Sequence, residues 1–378
     1  MEIRKNRREA HFFSLAAALL SAAVSAMLLI HSDAAAEAVR RGIDICGASV
    51  IPSLFPMMFM SQYIVKSGAA ELAGSLLEKP VRVLFGLSGI CGVALLTSLI
   101  GGYPAGARAA ETLVTDGLIS RREGKRLANM AFCAGPGFAI GMIGGELYKN
   151  KSIGLLILTA QALSCIIIGI ASRLLPGNDG APMTERRDNP PAVSSRTDAF
   201  VQSAAGTAST MLHMCSFIIL FQVILCLLEL SGFNSALGRM TEALGLGSIG
   251  RLLLPCTLEV TGGSILSVKA GVPFTAFVVG FGGLSVHFQN FSICRSVRPS
   301  KPLFLLTRTL QGALCSMTVS LALRLPWFSP AVIPTSGNVT DGIPVSFSRV
   351  SVGFGCTMLV MCLMSVICLP SDKESSTI

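Results

Sequence analysis

An ionisable side chain inside an apolar run is the first place to look for chemistry in this chain. Glu259 is such a residue: with Thr261 it precedes Gly262-Gly263-Ser264 inside an apolar segment. A carboxylate there is expensive, and marks either an ion or solute pathway or a buried ion pair. Both readings stay open for Glu259, a site for a coupling H⁺ or Na⁺ and a salt bridge to an arginine. Arg108 raises the same question after Gly101-Gly102-Tyr103-Pro104-Ala105-Gly106, with Glu111 three residues on as a local partner. A third group, His287, Gln289 and Asn290, follows Gly282-Gly283, and on a helix Gly283, His287 and Asn290 share one face. Such side chains can hold a small solute, and the histidine can equally serve as an internal hydrogen-bonder. No Walker loop, His-Glu-x-x-His pair or nucleophile elbow accompanies them. We therefore expect a protein that is not an enzyme and carries no cofactor and no metal.

The glycine and proline breaks define the backbone around these groups. In lipid every peptide group must be satisfied internally. Broken helix at membrane depth is therefore confined to backbone buried in protein or lining a cavity, and transporters use such interrupted helices to hold solutes near the midplane. Gly101-Gly102-Tyr103-Pro104-Ala105-Gly106, Gly135-Pro136-Gly137 and Gly262-Gly263 are the candidate breaks. Each has a second reading as a kink where small residues let helices approach closely. In the solute-binding reading, exposed N–H groups of the tips at Gly101–Gly106 and Gly262–Gly263 act with Arg108 on an anion. Tyr103, Gly135, Gly137, His287, Gln289 and Asn290 then complete the substrate site.

Composition agrees with a membrane setting. The 378 residues are 51% hydrophobic and 13% charged, and the mean hydropathy is +0.66. A soluble domain of this length with this composition would have too little surface charge, so we read an all-α polytopic membrane protein. The formal net charge is +9, but the basic residues sit in short loops between apolar spans, where they set orientation. The lipid bilayer, not nucleic acid, is the expected partner. The 12 cysteines are scattered and read as small apolar packing residues. Arg4, Lys5, Arg7 and Arg8 precede an apolar run of about 19 residues, long for a signal-peptide core and long enough to span. An uncleaved first helix with a cytoplasmic N-terminus is expected.

Apolar segments fall near 12–31, 46–65, 81–101, 127–147, 152–174, 205–230, 250–268, 272–293, 303–325 and 350–369. Ten full crossings would place the clusters at Arg121-Arg122-Lys125-Arg126 and at Arg173-Arg186-Arg187-Arg196 outside, against the positive-inside bias. Making 81–110 and 250–268 re-entrant hairpins moves both inside. About eight transmembrane helices then remain, plus two hairpins. Each half has three crossings and one hairpin, so the halves face opposite ways as an inverted repeat. The expected organisation is an anchor helix (1–35), a first repeat (36–175), a polar cytoplasmic linker (176–198), a second repeat (199–325), and an outer loop, last span and tail (326–378). Gly101-Gly102 is expected to align with Gly262-Gly263.

The stretch Gly101-Gly-Tyr-Pro-Ala-Gly-Ala-Arg108, then Gly117-Leu-Ile-Ser-Arg-Arg-Glu123, then Phe132-Cys-Ala-Gly-Pro-Gly-Phe138 with Gly141 and Gly144, resembles the nucleoside-recognition Gate domain. More specifically it resembles the YlbJ-type sporulation integral membrane proteins of endospore-forming bacteria. Its specific part is residues 85–145. The resemblance implies a sporulation protein of the outer forespore membrane that moves dipicolinic acid towards the forespore. It also implies a likeness to concentrative nucleoside transporters, which use paired hairpins. The expected partners are thus a small anionic solute, dipicolinate, and a coupling H⁺ or Na⁺. A transporter of nucleosides or another metabolite and a non-transporting sporulation scaffold are the alternatives.

Overall fold

The structure, a computed structural model, describes residues 2–67, 69–174, 196–243 and 250–325, and every regular element among them is helical. The chain starts with α1 (Glu2–Ile30) and α2 (Ser32–Ile45). A π-helical turn at Cys46–Val50 joins α2 to α3 (Ile51–Lys66). Pro52 and Pro56 each remove one backbone donor from α3, and the ladder widens to π-type pairing just ahead of them. Next come α4 (Ala69–Phe85), α5 (Ile90–Gly101), α6 (Tyr103–Thr115) and α7 (Arg121–Met130). Residues 131–135 are non-helical, and a π-helical segment, Gly137–Leu147, leads to α8 (Lys151–Arg173). The second half holds α9 (Arg196–Leu230), α10 (Phe233–Ala243), α11 (Gly250–Leu258), α12 (Val260–Ser267), α13 (Val272–Phe281), α14 (Gly283–Ile293) and α15 (Lys301–Ala322).

Four stretches among the described residues are long and apolar enough to cross a bilayer: Ser32–Lys66, Lys151–Arg173, Thr197–Leu230 and Val272–Ile293. A fifth results if Ala73–Phe85 and Ile90–Gly101, bent by 90° at Gly86–Gly89, count as one span. The chain is a multi-pass integral membrane protein. Several expected boundaries change. The span expected at 46–65 is the second part of a 35-residue helix. The apolar run expected at 12–31 lies in α1, which stays helical without a break to Ile30. The segment 127–147 is not one helix but α7, a non-helical stretch and a π-helical stretch, because Gly135-Pro136-Gly137 interrupts it. The segment 303–325 forms the 22-residue α15, which carries a fully buried arginine. The expected last span, the outer loop and most of the linker lie outside the described residues.

The largest apolar cluster joins α3, the π-helical segment, α8, α9, α13 and α15, including Met58, Phe138, Ile157, Val279 and Phe304. Glycines let these helices approach closely: a Cβ on Gly280 would lie 2.9 Å from the Gly312 Cα, and one on Gly42 would lie 2.9 Å from the Ile219 Cα. At one end of the bundle a capping box opens α7. Ser120 Oγ accepts from the Glu123 N–H, and the Glu123 carboxylate accepts from the Ser120 N–H. Arg121 Nε donates to the Ser296 carbonyl at 2.6 Å and ties this turn to the α14–α15 loop.

Candidate functional site

Two helical hairpins converge in the interior. In a straight helix, residues eight apart are separated by about 12 Å. Yet a Cβ on Gly106 would lie 2.6 Å from the Ser98 Cβ, and one on Gly263 would lie 3.2 Å from the Pro255 carbonyl oxygen. The chain therefore folds back between α5 and α6 and again between α11 and α12. The first tip is Gly102, at φ +85° and ψ −175°, a region essentially restricted to glycine. The second tip is Glu259, in extended conformation. This moves both features from their expected places. The limbs of the first hairpin are 90–101 and 103–115, not 81–110, because α4 runs unbroken through 81–85. Gly262 and Gly263 lie in the first turn of α12, past the tip. The first tip thus falls within Gly101-Gly102, whereas the second lies at Glu259, ahead of Gly262-Gly263.

The second tip is held by its own carboxylate. Glu259 is fully buried, and its two oxygens accept from the N–H groups of Thr261 (2.9 Å) and Gly262 (2.6 Å). No cationic nitrogen lies within 4.0 Å of it among the described residues. The salt-bridge reading of Glu259 is thus not realised there, and the Gly262 N–H is not free for a solute. The Gly263 N–H is also occupied, by the Glu259 carbonyl. At the first tip the N–H groups of Gly102 and Gly106 are bonded to Ser98 and Gly102 carbonyls.

Each tip docks on a break in its own half. A Cβ on Gly102 would lie 3.3 Å from the Gly135 nitrogen, and one on Gly283 would lie 2.9 Å from the Val260 nitrogen. Between the tips is a cavity of about 30 Å³, lined by Gly102, Tyr103, Gly135, Glu259, Thr261 and Gln289 among others. That is room for a water or two, so the tips are closed on each other. Tyr103 ties the halves together: its hydroxyl donates to the Val279 carbonyl at 2.5 Å, and its ring packs on Phe132 at 4.5 Å.

Three residues not singled out from the sequence satisfy backbone groups at the end of α7 and in the non-helical stretch after it. Gln161 accepts from the Ala134 N–H at 2.8 Å, Gln311 donates to the Phe132 carbonyl at 2.6 Å, and Arg308 donates to the Asn129 carbonyl. All three are fully buried. The Arg308 guanidinium also lies 4.2 Å from the centre of the Phe132 ring and donates to Gln311 Oε1. The available signal was an arginine and two glutamines inside very apolar helices, the type of residue that membrane interiors retain only for a purpose.

The sequence as a whole has a counterpart among known proteins. Over 341 residues the chain is 27% identical to the sporulation integral membrane protein YlbJ of Bacillus subtilis (strain 168). The match covers 81% of this chain and 83% of that protein. This chain is a relative of YlbJ. The YlbJ-type resemblance seen in residues 85–145 therefore extends over four-fifths of the sequence and takes in both hairpins. No family model matches the chain, and no solved structure does.

The remaining expected site residues divide into two groups. Gln289 joins the tip cavity, and its Oε1 has no partner among the described residues. Asn290, beside it, is buried with both amide atoms unpartnered among those residues. His287 points elsewhere. Its Nε2 bonds to the Phe281 carbonyl at 2.8 Å, and its ring packs against Phe281 and Phe304. It thus satisfies a carbonyl left open where Gly282 and Gly283, both at positive φ, break the helix. Gly101 backs the first hairpin against α3, where its Cβ would meet Ser61 Oγ at 2.7 Å, and a Cβ on Gly137 would meet the Ser53 carbonyl. Arg108 does not line the tip cavity, and Glu111 does not pair with it. Glu111 instead accepts from the N–H groups of Ser296 and Val297 at 2.7–3.1 Å.

Proposed function

We propose that this chain is a sporulation membrane transporter that moves dipicolinic acid across the outer forespore membrane by alternating access, with a cytoplasmic N-terminus. The observation that carries the reading is the meeting of two folded-back hairpin tips at one interior cavity beside a buried carboxylate with no cationic partner among the described residues. Interrupted helices meeting at the interface of two repeats are how secondary transporters build solute sites. The docking of each tip on a break in its own half supports an inverted repeat of 36–175 and 199–325. The closed cavity is then the occluded gate, and Glu259 is the site for a coupling H⁺ or Na⁺. The sporulation setting is supported by the likeness to YlbJ, a protein named for that process.

Among the described residues the tip cavity is lined by a carboxylate and an amide but no cation. This favours, as the second reading, an uncharged solute such as a nucleoside. Purified full-length protein in liposomes separates the two. Labelled dipicolinate should enter faster than in protein-free vesicles, respond to a proton or sodium gradient, and resist competition by nucleosides. Nucleoside uptake without dipicolinate uptake would establish the second reading. Absence of any solute flux would leave the non-transporting scaffold.

A further inference from the structure

A second cavity lies along the first hairpin, towards the Lys66 end of α3. It has a volume of about 140 Å³ and is bounded by Gln62 and Lys66 of α3, Thr97 of α5, Arg108 and Thr112 of α6, and Gly206 of α9. Leu54 lines the tip cavity and Gln62 this one. Eight helical residues separate them, so the two cavities are about 12 Å apart along α3.

The chemistry of this cavity is one-sided. Among the described residues it is lined by two cations and no carboxylate, and the carboxylate three residues along α6, Glu111, is engaged by Ser296 and Val297. Lys66 Nζ donates to the Gln202 carbonyl at 3.0 Å, and Arg108 Nη2 donates to Thr210 Oγ1 at 3.3 Å. An ammonium has three donors and a guanidinium five, so both retain unused capacity. Arg108 Nε and Gln62 Nε2 are buried without a partner among the described residues, and the Gln62 residue is only 7% exposed. Donors left unmatched in this way, around a space with no anion of its own, call for acceptor oxygens from outside.

We propose that Arg108, Lys66 and Gln62 form an anion pocket that takes the carboxylate or phosphate oxygens of a small ligand. Arg108 supplies the planar fork that fixes orientation, Lys66 a mobile point charge, and Gln62 a neutral donor. Resting on the transport reading for its role, the pocket is a staging site that collects the anion before the tips admit it. Its anion chemistry stands without that reading. Neither Lys66 nor Gln62 stood out in the sequence. Lys66 ends an apolar helix, the usual place for an orienting charge, and a single glutamine carries no pattern.

The test is calorimetric titration of the full-length protein in neutral detergent with pyridine-2,6-dicarboxylate, pyridine-2-carboxylate and orthophosphate. The dicarboxylate is expected to bind, with Arg108→Gln and Lys66→Gln each weakening it at least tenfold. Gly206→Leu is expected to weaken it with both cations kept, because a Cβ there already reaches 2.4 Å from Gln62 Oε1. In the wild-type protein the dicarboxylate should protect Lys66 from amine acylation, a readout that requires no variant. Adding phosphatidylglycerol to the micelles distinguishes sources: a lipid headgroup site would be saturated by it and a free-anion site would not. Unchanged affinity in folded Arg108→Gln and Lys66→Gln, or unprotected Lys66 at saturating dicarboxylate, overturns the pocket. The transport reading fails separately. Liposome flux with unprotected Lys66 refutes the pocket alone, whereas pocket binding in a protein without flux refutes transport alone.

Discussion

Gly102→Ala tests the first tip directly. Gly102 sits at φ +85° and ψ −175°, where an L-residue is strained by about 1–3 kcal/mol. The new Cβ would also lie 3.3 Å from the Gly135 nitrogen, so the strain cannot be relieved by moving the tip inwards. For a chain of 378 residues, an unfolding entropy of roughly 2.1 cal/mol/K per residue converts this into a melting-point loss of about 1–4 °C. The same energy set against the closed state would shift a gating equilibrium by about 5- to 150-fold. The control is Gly141→Ala in the π-helical segment, where a Cβ meets nothing within 4 Å; it should be neutral or stabilise by up to about 1 kcal/mol. Thermal unfolding in detergent, read beside solute flux in liposomes, checks both. If Gly102→Ala and Gly141→Ala melt alike and transport alike, Gly102 does not form a strained tip against Gly135.

Other positions give independent outcomes. Glu259→Gln keeps one acceptor for the tip and loses the other, leaving an amide N–H facing a buried backbone N–H. It should destabilise by about 1–3 kcal/mol and remove the response of flux to an ion gradient, so an unchanged gradient response would exclude Glu259 from coupling. Arg308→Met leaves the Asn129 carbonyl and Gln311 Oε1 without their donor. A loss of about 1–3 kcal/mol in denaturant unfolding is expected, and Arg308→Lys should recover part of it; equal losses in the two would argue against the guanidinium fork. Single cysteines in place of Arg121 and Lys269 should be labelled from opposite sides of the membrane by an impermeant reagent under the two-hairpin topology. Labelling from one side would refute it.

How far the sequence disclosed this arrangement depends on what each residue contributes. Gly101-Gly102 and Gly135-Pro136-Gly137 were legible because such pairs in an apolar run break a helix whatever surrounds them, whereas the break at Gly282-Gly283 was not read, since 272–293 was expected as one span. The hairpin at 250–268 was placed well, since its limbs are short and its ends coincide with changes in polarity. Its tip was misplaced because glycine was expected to make the turn, whereas Glu259 makes it by capping its own helix. That is a property of side-chain geometry, with no spacing signature. Arg108 was flagged by its charge, but its environment depends on Gln62 and Lys66, more than 40 positions earlier, and on Thr210, about 100 later. Arg308, Gln311 and Gln161 are brought to residues 129–134 only by the packing of α15 and α8.

The two tips solve one problem in unlike ways, and the difference bears on mechanism. At the first, Gly102 turns the chain by adopting a conformation closed to other residues, so that tip does not respond to solution conditions. At the second, the turn is fastened by charge-assisted hydrogen bonds from Thr261 and Gly262 to Glu259. Hydrogen bonds to a charged group are worth about 1.5–3 kcal/mol and neutral ones about 0.5–1.5, so neutralising the carboxylate loosens the second tip by roughly 1 kcal/mol per bond. In the transport cycle proposed above, a cation arriving at Glu259 therefore competes with the cap that closes the tip. Over the two bonds, roughly 2 kcal/mol, binding would shift the gate about 30-fold towards opening with no need for a distant relay. Under that proposal coupling and gating would be the same event at one side chain, a role that requires a buried carboxylate with no cationic partner, as Glu259 is among the described residues.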